Sequence, residues 1–236
     1  MKLALASTLT MTVVLTGCSI PTAPSAVSPL EGIFTQPVGR SNATLIPNGS
    51  NVALGIVYSQ NTQTNRAYLQ DYHANAGTGF GQSLLVHSIH DAFVNTSRPD
   101  LAVDWVKASL QRQFGSVTVY PDMQSLKAAK PDVVAIVDSR SQLMTSRSSD
   151  LEAHVSVDFY DVHLNYIGTA QGHDAKTLSP LWADFEPSAD IVTDINEQQN
   201  VQVRALQKFD QSLSNLLTKP ANTVSTLDNK LEEKLY

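Results

Sequence analysis

Cysteine occurs once in the 236 residues, at position 18, so an intramolecular disulfide is excluded and stability has to come from packing. Basic residues are also scarce: 16 Lys and Arg face 22 Asp and Glu, a formal net charge of −6. That balance argues against nucleic acid as the main ligand and against electrostatic adhesion to anionic lipid. No apolar run reaches the roughly 20 residues that a spanning helix needs. There is no Gly-x-Ser-x-Gly elbow, no Gly-Lys-Ser/Thr nucleotide loop, and no histidine pair flanking a Glu at metalloprotease spacing. Long low-complexity tracts are absent too, so the hydrophobic fraction of 42% is available for one core of single-domain size.

The first residues are the most informative. Met1 and Lys2 precede an apolar stretch through Leu3, Ala4, Leu5, Ala6, Met11, Val13 and Val14, which ends in Leu15-Thr16-Gly17-Cys18. One cation before a short apolar run suits translocon entry, and residues 1–17 read as a signal peptide. Leu15-Thr16-Gly17-Cys18 resembles the lipobox of bacterial lipoproteins, where small residues admit the peptidase and the cysteine thiol takes up a diacylglycerol. The resemblance implies lipidation at Cys18, which also accounts for an unpaired thiol in an exported chain. The next residue is Ser19 rather than the Asp that favours inner-membrane retention, so the implied location is the outer membrane, on its periplasmic face. Loss of residues 1–17, Lys2 among them, takes the formal charge from −6 to −7.

Residues 18–50 form the next expected unit, the lipidated cysteine and a tether. Pro21, Pro24, Pro29 and Pro37 sit there among small and polar residues, a composition that disfavours helix and sheet. Such a segment is expected to be semi-extended and to hold the folded part away from the bilayer. Residues 51–218 are expected to be a globular domain and 219–236 a polar tail.

Within the domain the predicted class is α/β (α+β), one mixed sheet of about four to six strands with a long antiparallel hairpin, packed against amphipathic helices. Val52–Tyr58 reads as a buried strand, and residues 61–73 are polar with no clear conformation. Leu85, Ile89, Ala92 and Phe93 recur at helical spacing over 82–95, and Val103, Val106, Leu110 and Phe114 do so over 101–114. A strand over 116–120 and a short helix over 122–129 follow. Asp132–Asp138 is almost wholly apolar, as in a strand covered on both faces, and is the candidate for the centre of the sheet.

A hairpin is predicted over 151–175 with its turn at His163 and Leu164. That turn sets Val155 opposite Gly172, Val157 opposite Ala170 and Phe159 opposite Gly168 on a core face. His154, Ser156 and Asp158 meet His173, Gln171 and Thr169 on a solvated one. A helix over 188–217 closes the domain with the stripe Val192, Ile195, Leu206, Phe209, Leu213 and Leu216, interrupted at Gln198, Gln199 and Asn200.

Candidate chemistry is sparse. Gly77, Gly79 and Gly81 precede a helix as a phosphate loop would, but Gln82 stands where the dinucleotide pattern needs glycine, and a mobile loop is the alternative. His87, His90, Asp91 and His73 could gather as a zinc cluster or serve as surface and cap residues. His154 and His173, facing each other across two strands with Asp158 nearby, are candidates for a metal or a pH-sensitive contact, or a solvated pair. Asp184 and Glu186 sit in a loop beside Leu181, Trp182 and Phe185. The last three are candidates for partner contact, because aromatics are enriched at binding hot spots, or for core packing.

The phrase Lys130-Pro131-Asp132-Val133-Val134-Ala135-Ile136-Val137-Asp138, then Phe159-Tyr160-Asp161 and Tyr166-Ile167-Gly168-Thr169-Ala170, lies within an element order that resembles periplasmic α/β lipoproteins. These include YajG-like proteins, the penicillin-binding-protein activator LpoB and the curli-secretion lipoprotein CsgG. No transmembrane hairpin like that of a pore is recognisable, and no functional residue beyond Cys18 carries over. The expectation is a non-enzymatic, lipid-anchored binding or adaptor protein of the cell envelope, without cofactor. Its partners are the membrane through the anchor and another envelope protein, not nucleic acid; the oligomeric state is open. The competing readings are a metal-dependent or hydrolytic envelope enzyme, with His154, Asp158 and His173 at its site, and a self-assembling structural lipoprotein.

Overall fold

The apolar, β-branched runs lie side by side in a computed structural model that describes residues 21–30, 32–34, 39–41, 45–75, 87–145, 148–178 and 188–218. The elements in chain order are β1 (Gly49–Tyr58), α1 (Gln60–Asn75), α2 (His87–Thr96), α3 (Leu101–Gln111), β2 (Phe114–Val119), α4 (Met123–Ala129), β3 (Val133–Gln142), β4 (Asp150–Tyr160), β5 (Tyr166–Thr177) and α5 (Ser188–Thr218). The five strands form one sheet in the order β2-β1-β3-β4-β5. Strand β1 runs parallel to β2 and β3, and β4 is antiparallel to its neighbours β3 and β5. The protein is therefore α/β with a mixed sheet, and β3 is its middle strand.

The hairpin has the register expected from its side chains: Val155 pairs with Gly172, Val157 with Ala170, Phe159 with Gly168 and His154 with His173. Leu164 adopts φ of 63° in the turn, and Asp161 accepts from the backbone of His163 and Asn165. The small residues of β5 admit α5 onto the sheet. A Cβ on Gly172 would come within 2.0 Å of the Ala205 carbonyl oxygen, and one on Gly168 within 2.9 Å of Leu216 Cδ1. Between these points Leu206, Phe209 and Leu213 join Val106 and Leu110 of α3 over Leu54, Ile56, Val133, Ala135, Val137, Val155, Val157 and Phe159.

Helix α1 occupies the polar stretch whose conformation the apolar pattern left undefined. Its buried stripe is Asn61, Thr62, Asn65, Tyr68, Leu69 and Tyr72; Thr62 and Asn65 bond to the backbone of β3, and Tyr68 and Tyr72 to that of Leu143 and Met144 just past its end, where β1 has run out. The β1 pairing ends at Tyr58 opposite Val137. Beyond it, Ser139 N donates to Thr62 Oγ1 at 2.8 Å, Ser141 N to Asn65 Oδ1 at 2.8 Å, and Leu143 N to Tyr68 OH at 3.1 Å. Buried backbone groups need partners, and here helix side chains supply what a further length of strand would. This explains why β3 extends to Gln142 although its sequence turns polar after Asp138.

The interruption in α5 has the same cause. Gln198 accepts from Met144 N at 2.8 Å and from Tyr72 OH at 3.1 Å, and donates to Thr96 Oγ1 at 3.0 Å. Gln202 donates to the Thr96 carbonyl. Both glutamines are buried.

The second face of the sheet is only partly solvated, unlike the expectation. Helix α4 and Leu30, Ile33 and Phe34 cover Val57, Val134, Ile136 and Tyr160, and Ser156 is buried. Part of the stretch expected to be a free tether is thus laid on the sheet. Asn61 holds Val27 at two points, accepting from its N at 2.9 Å and donating to its carbonyl at 2.8 Å. Further along, Tyr166 N donates to the Gly39 carbonyl and Ser41 N to that of Tyr166, each at 2.8 Å. Among the described residues no helix is long and apolar enough to cross a membrane.

Candidate functional site

A buried polar cluster lies where β1 gives way to α1. Strand β3 carries Asp138 to that point and its carboxyl, 1% exposed, accepts from Ser59 Oγ and from Asn61 Nδ2, both at 2.7 Å on Oδ1. Its second oxygen has no hydrogen bond: Arg140 Nε stands 3.5 Å away and His154 Nδ1 4.0 Å away, at ion-pair range. Alternation along β3 and the β3–β4 register put the three side chains on one face, with Arg140 directly opposite His154.

Burial pushes the His154 imidazole below its usual pKa, the Arg140 charge adds to this, and Asp138 opposes it. Arg140 lines a pocket of about 190 Å³ together with Ser141, Gln142 and Glu152 and with Ala23, Pro24 and Ala26 of the docked segment.

The arrangement joins elements and is not set up for attack on a substrate. A nucleophilic serine needs a base on its oxygen and access to the reacting atom. Ser59 instead donates directly to a carboxyl, is fully buried, and shares no bond with His154. The cluster ties the start of α1, the middle of β3 and, through Asn61, the segment at Val27 into one network.

Of the side chains singled out in the sequence, His154 and His173 do meet, with ring centroids 6.3 Å apart. Asp158 does not join them: it pairs opposite Thr169, which donates to it, and burial raises its pKa. His173 instead stands 3.3 Å from Glu152. His87 and His90 stack, each 3.3 Å from an Asp91 oxygen, while His73 bonds to Ser97 Oγ. Among the described residues no three His, Cys, Asp or Glu side chains are placed to hold a metal ion.

Cys18, Gly77, Gly79, Gly81, Leu181, Trp182, Asp184, Phe185 and Glu186 lie outside the described residues. Asp138 and Ser59 escaped sequence reading. The available signal was an acidic residue closing an otherwise apolar strand, which only a polar neighbouring element could satisfy.

No family model and no curated protein matches the chain. Among solved structures, a PelC variant dodecamer from Paraburkholderia phytofirmans aligns over 69% of this chain and 96% of that one, at 11% identity and a TM-score of 0.29, a likeness too loose to inform fold or function.

Proposed function

We propose that this protein is a lipid-anchored periplasmic binding or adaptor lipoprotein of the bacterial cell envelope, attached through Cys18 to the outer membrane and without catalytic activity. The observation that carries the reading is the tetrapeptide Leu15-Thr16-Gly17-Cys18 closing a short apolar run behind Lys2. Two structural features support it. The buried cluster around Asp138 binds the fold together, and its serine, Ser59, is inaccessible. Asn61 holds the segment at Val27, nine positions after Cys18, as suits a domain seated beside its anchor. Leu181, Trp182 and Phe185 are proposed as the contact for another envelope protein, since aromatic side chains dominate binding hot spots.

Growth with labelled fatty acid tests the anchor: the wild-type protein takes up label and a Cys18→Ala variant does not. Label on the variant sinks the reading. Cross-linking in intact cells, followed by mass spectrometry, tests the adaptor role. It is expected to return one envelope partner reproducibly, with capture reduced by Trp182→Ala. A metal co-purifying in place of any partner would favour the enzyme instead.

A further inference from the structure

The two edges of the sheet are treated differently. Along β5 the outward backbone is occupied: Tyr166 bonds to Gly39 and Ser41, Gln171 N donates to Ser212 Oγ, and the His173 carbonyl accepts from Lys208 Nζ. Along β2 nothing comparable is found among the described residues. Tyr120 N donates to the Ile56 carbonyl. Backbone groups of successive strand residues point alternately to either side, so Ser116 and Thr118 also face β1, while Gly115, Val117 and Val119 turn their N–H and C=O outward. Gly115, Ser116, Thr118 and Val119 are exposed. The strand, Phe-Gly-Ser-Val-Thr-Val, contains no charge and no proline, the usual means of blunting an edge.

The geometry points to a second copy of this chain as the occupant, its β2 pairing antiparallel with the first about a two-fold axis at Val117, so that the two sheets become continuous. The strand is complementary to itself in that register. Val117 meets Val117, Gly115 meets Val119, and Ser116 meets Thr118, placing small against large and hydroxyl against hydroxyl. All three outward-facing residues of each copy are then bonded, and a shift by two positions leaves one of them without a mate. Just beyond the strand ends, the C-cap of α3 with Arg112 in each copy comes towards the N-cap of α4 with Asp122 in the other. Both are exposed, Arg112 by 60% although it also pairs with Asp210 at 3.4 Å, and Asp122 while it accepts from Ser125 N, so opposite charges approach where the backbone pairing stops. An isologous contact of this kind closes at two copies. The pairing does not depend on the lipid anchor.

Cross-linking of two single-cysteine variants tests the register. Ser116→Cys and Thr118→Cys are made separately in the full chain with Cys18→Ala, so that the introduced thiol is the only one, and their native folding is checked by circular dichroism. In the proposed pair these positions are directly opposite, about 4.5 Å between Cα atoms, whereas like positions lie on the order of 8 Å apart, beyond disulfide reach. The expected result is a disulfide-linked dimer on mixing the two under mild oxidation and none from either alone. In parallel, the mass of the unmodified full chain rises towards twofold with concentration in sedimentation. A monomeric mass throughout with no mixed disulfide overturns the proposal, as does equally rapid cross-linking of either variant by itself.

Discussion

His154 shows how a single side chain couples this fold to pH. Burial and the Arg140 charge lower its pKa below the ordinary 6.5, so between the lowered value and 6.5 the unfolded chain holds a proton that the folded chain does not. Stability contributed by His154 is therefore complete above about pH 6.5 and is lost as pH falls through that window. Asp158 has the opposite sign, because burial raises its carboxyl above 3.8 and the folded state holds that proton more tightly. Its contribution is common to wild type and a His154→Gln variant, so their difference isolates the imidazole. The urea midpoint of wild type is expected to fall more steeply than that of His154→Gln between about pH 7.5 and 5.5. Parallel curves would mean that His154 is not desolvated in solution.

Elements with an apolar signature were legible from sequence, and the helix without one was not. The hairpin register followed from a turn at His163 and Leu164, and its setting of Val155, Val157 and Phe159 against Gly172, Ala170 and Gly168 fits because bulk on one strand needs space on the other. Helix α1 spends its buried face on hydrogen bonds rather than on methyl groups, so its stripe of Asn61, Thr62, Asn65, Tyr68 and Tyr72 has little hydrophobic contrast to read. Asp138 showed in the sequence only as an acidic end to an apolar strand; its partners Ser59 and Asn61 are defined only once α1 is in place.

The glycines of β5 lead to a graded prediction. Gly172→Ala sets a methyl against the backbone of α5, with the Ala205 carbonyl oxygen at 2.0 Å, and is expected to cost at least the roughly 1–3 kcal/mol typical of overpacking. Gly168→Ala meets only the end of Leu216, 2.9 Å away, which can turn aside, so its cost is smaller. Denaturant titration of the two variants orders them; equal midpoints would contradict so close a seat for α5.

At the scale of the whole molecule, the docked segment would set an orientation for the protein under the proposed anchor at Cys18. Pro21 lies three positions beyond Cys18, and Ala23, Pro24 and Ala26 stand against Arg140, Gln142 and Glu152 at one end of β3 and β4. The turn between β4 and β5, with Val162 58% exposed, is at the other end of the sheet. The ten residues from Glu152 to Val162 place it on the order of 30 Å away. In the anchored reading the pocket end faces the bilayer and the turn faces away. A fluorophore at Gln142→Cys in lipid vesicles is then quenched by headgroup-borne nitroxide, and one at Val162→Cys is not. Equal quenching would rule out this orientation.

The ladder from α1 to β3 also works as a vernier. Its helix side advances about 4.5 Å for every three residues, its strand side about 6.6 Å for every two, so each rung falls further out of step than the last. The side chains make up the difference by growing, from Thr62 to Asn65 to Tyr68. Two scales of unequal pitch coincide at one setting only, so α1 cannot slide along the strand to another. Asn61 sits at the start of that scale and grips both Val27 and Asp138. A pull on the chain at Val27 is therefore passed through Asn61 to the middle strand of the sheet.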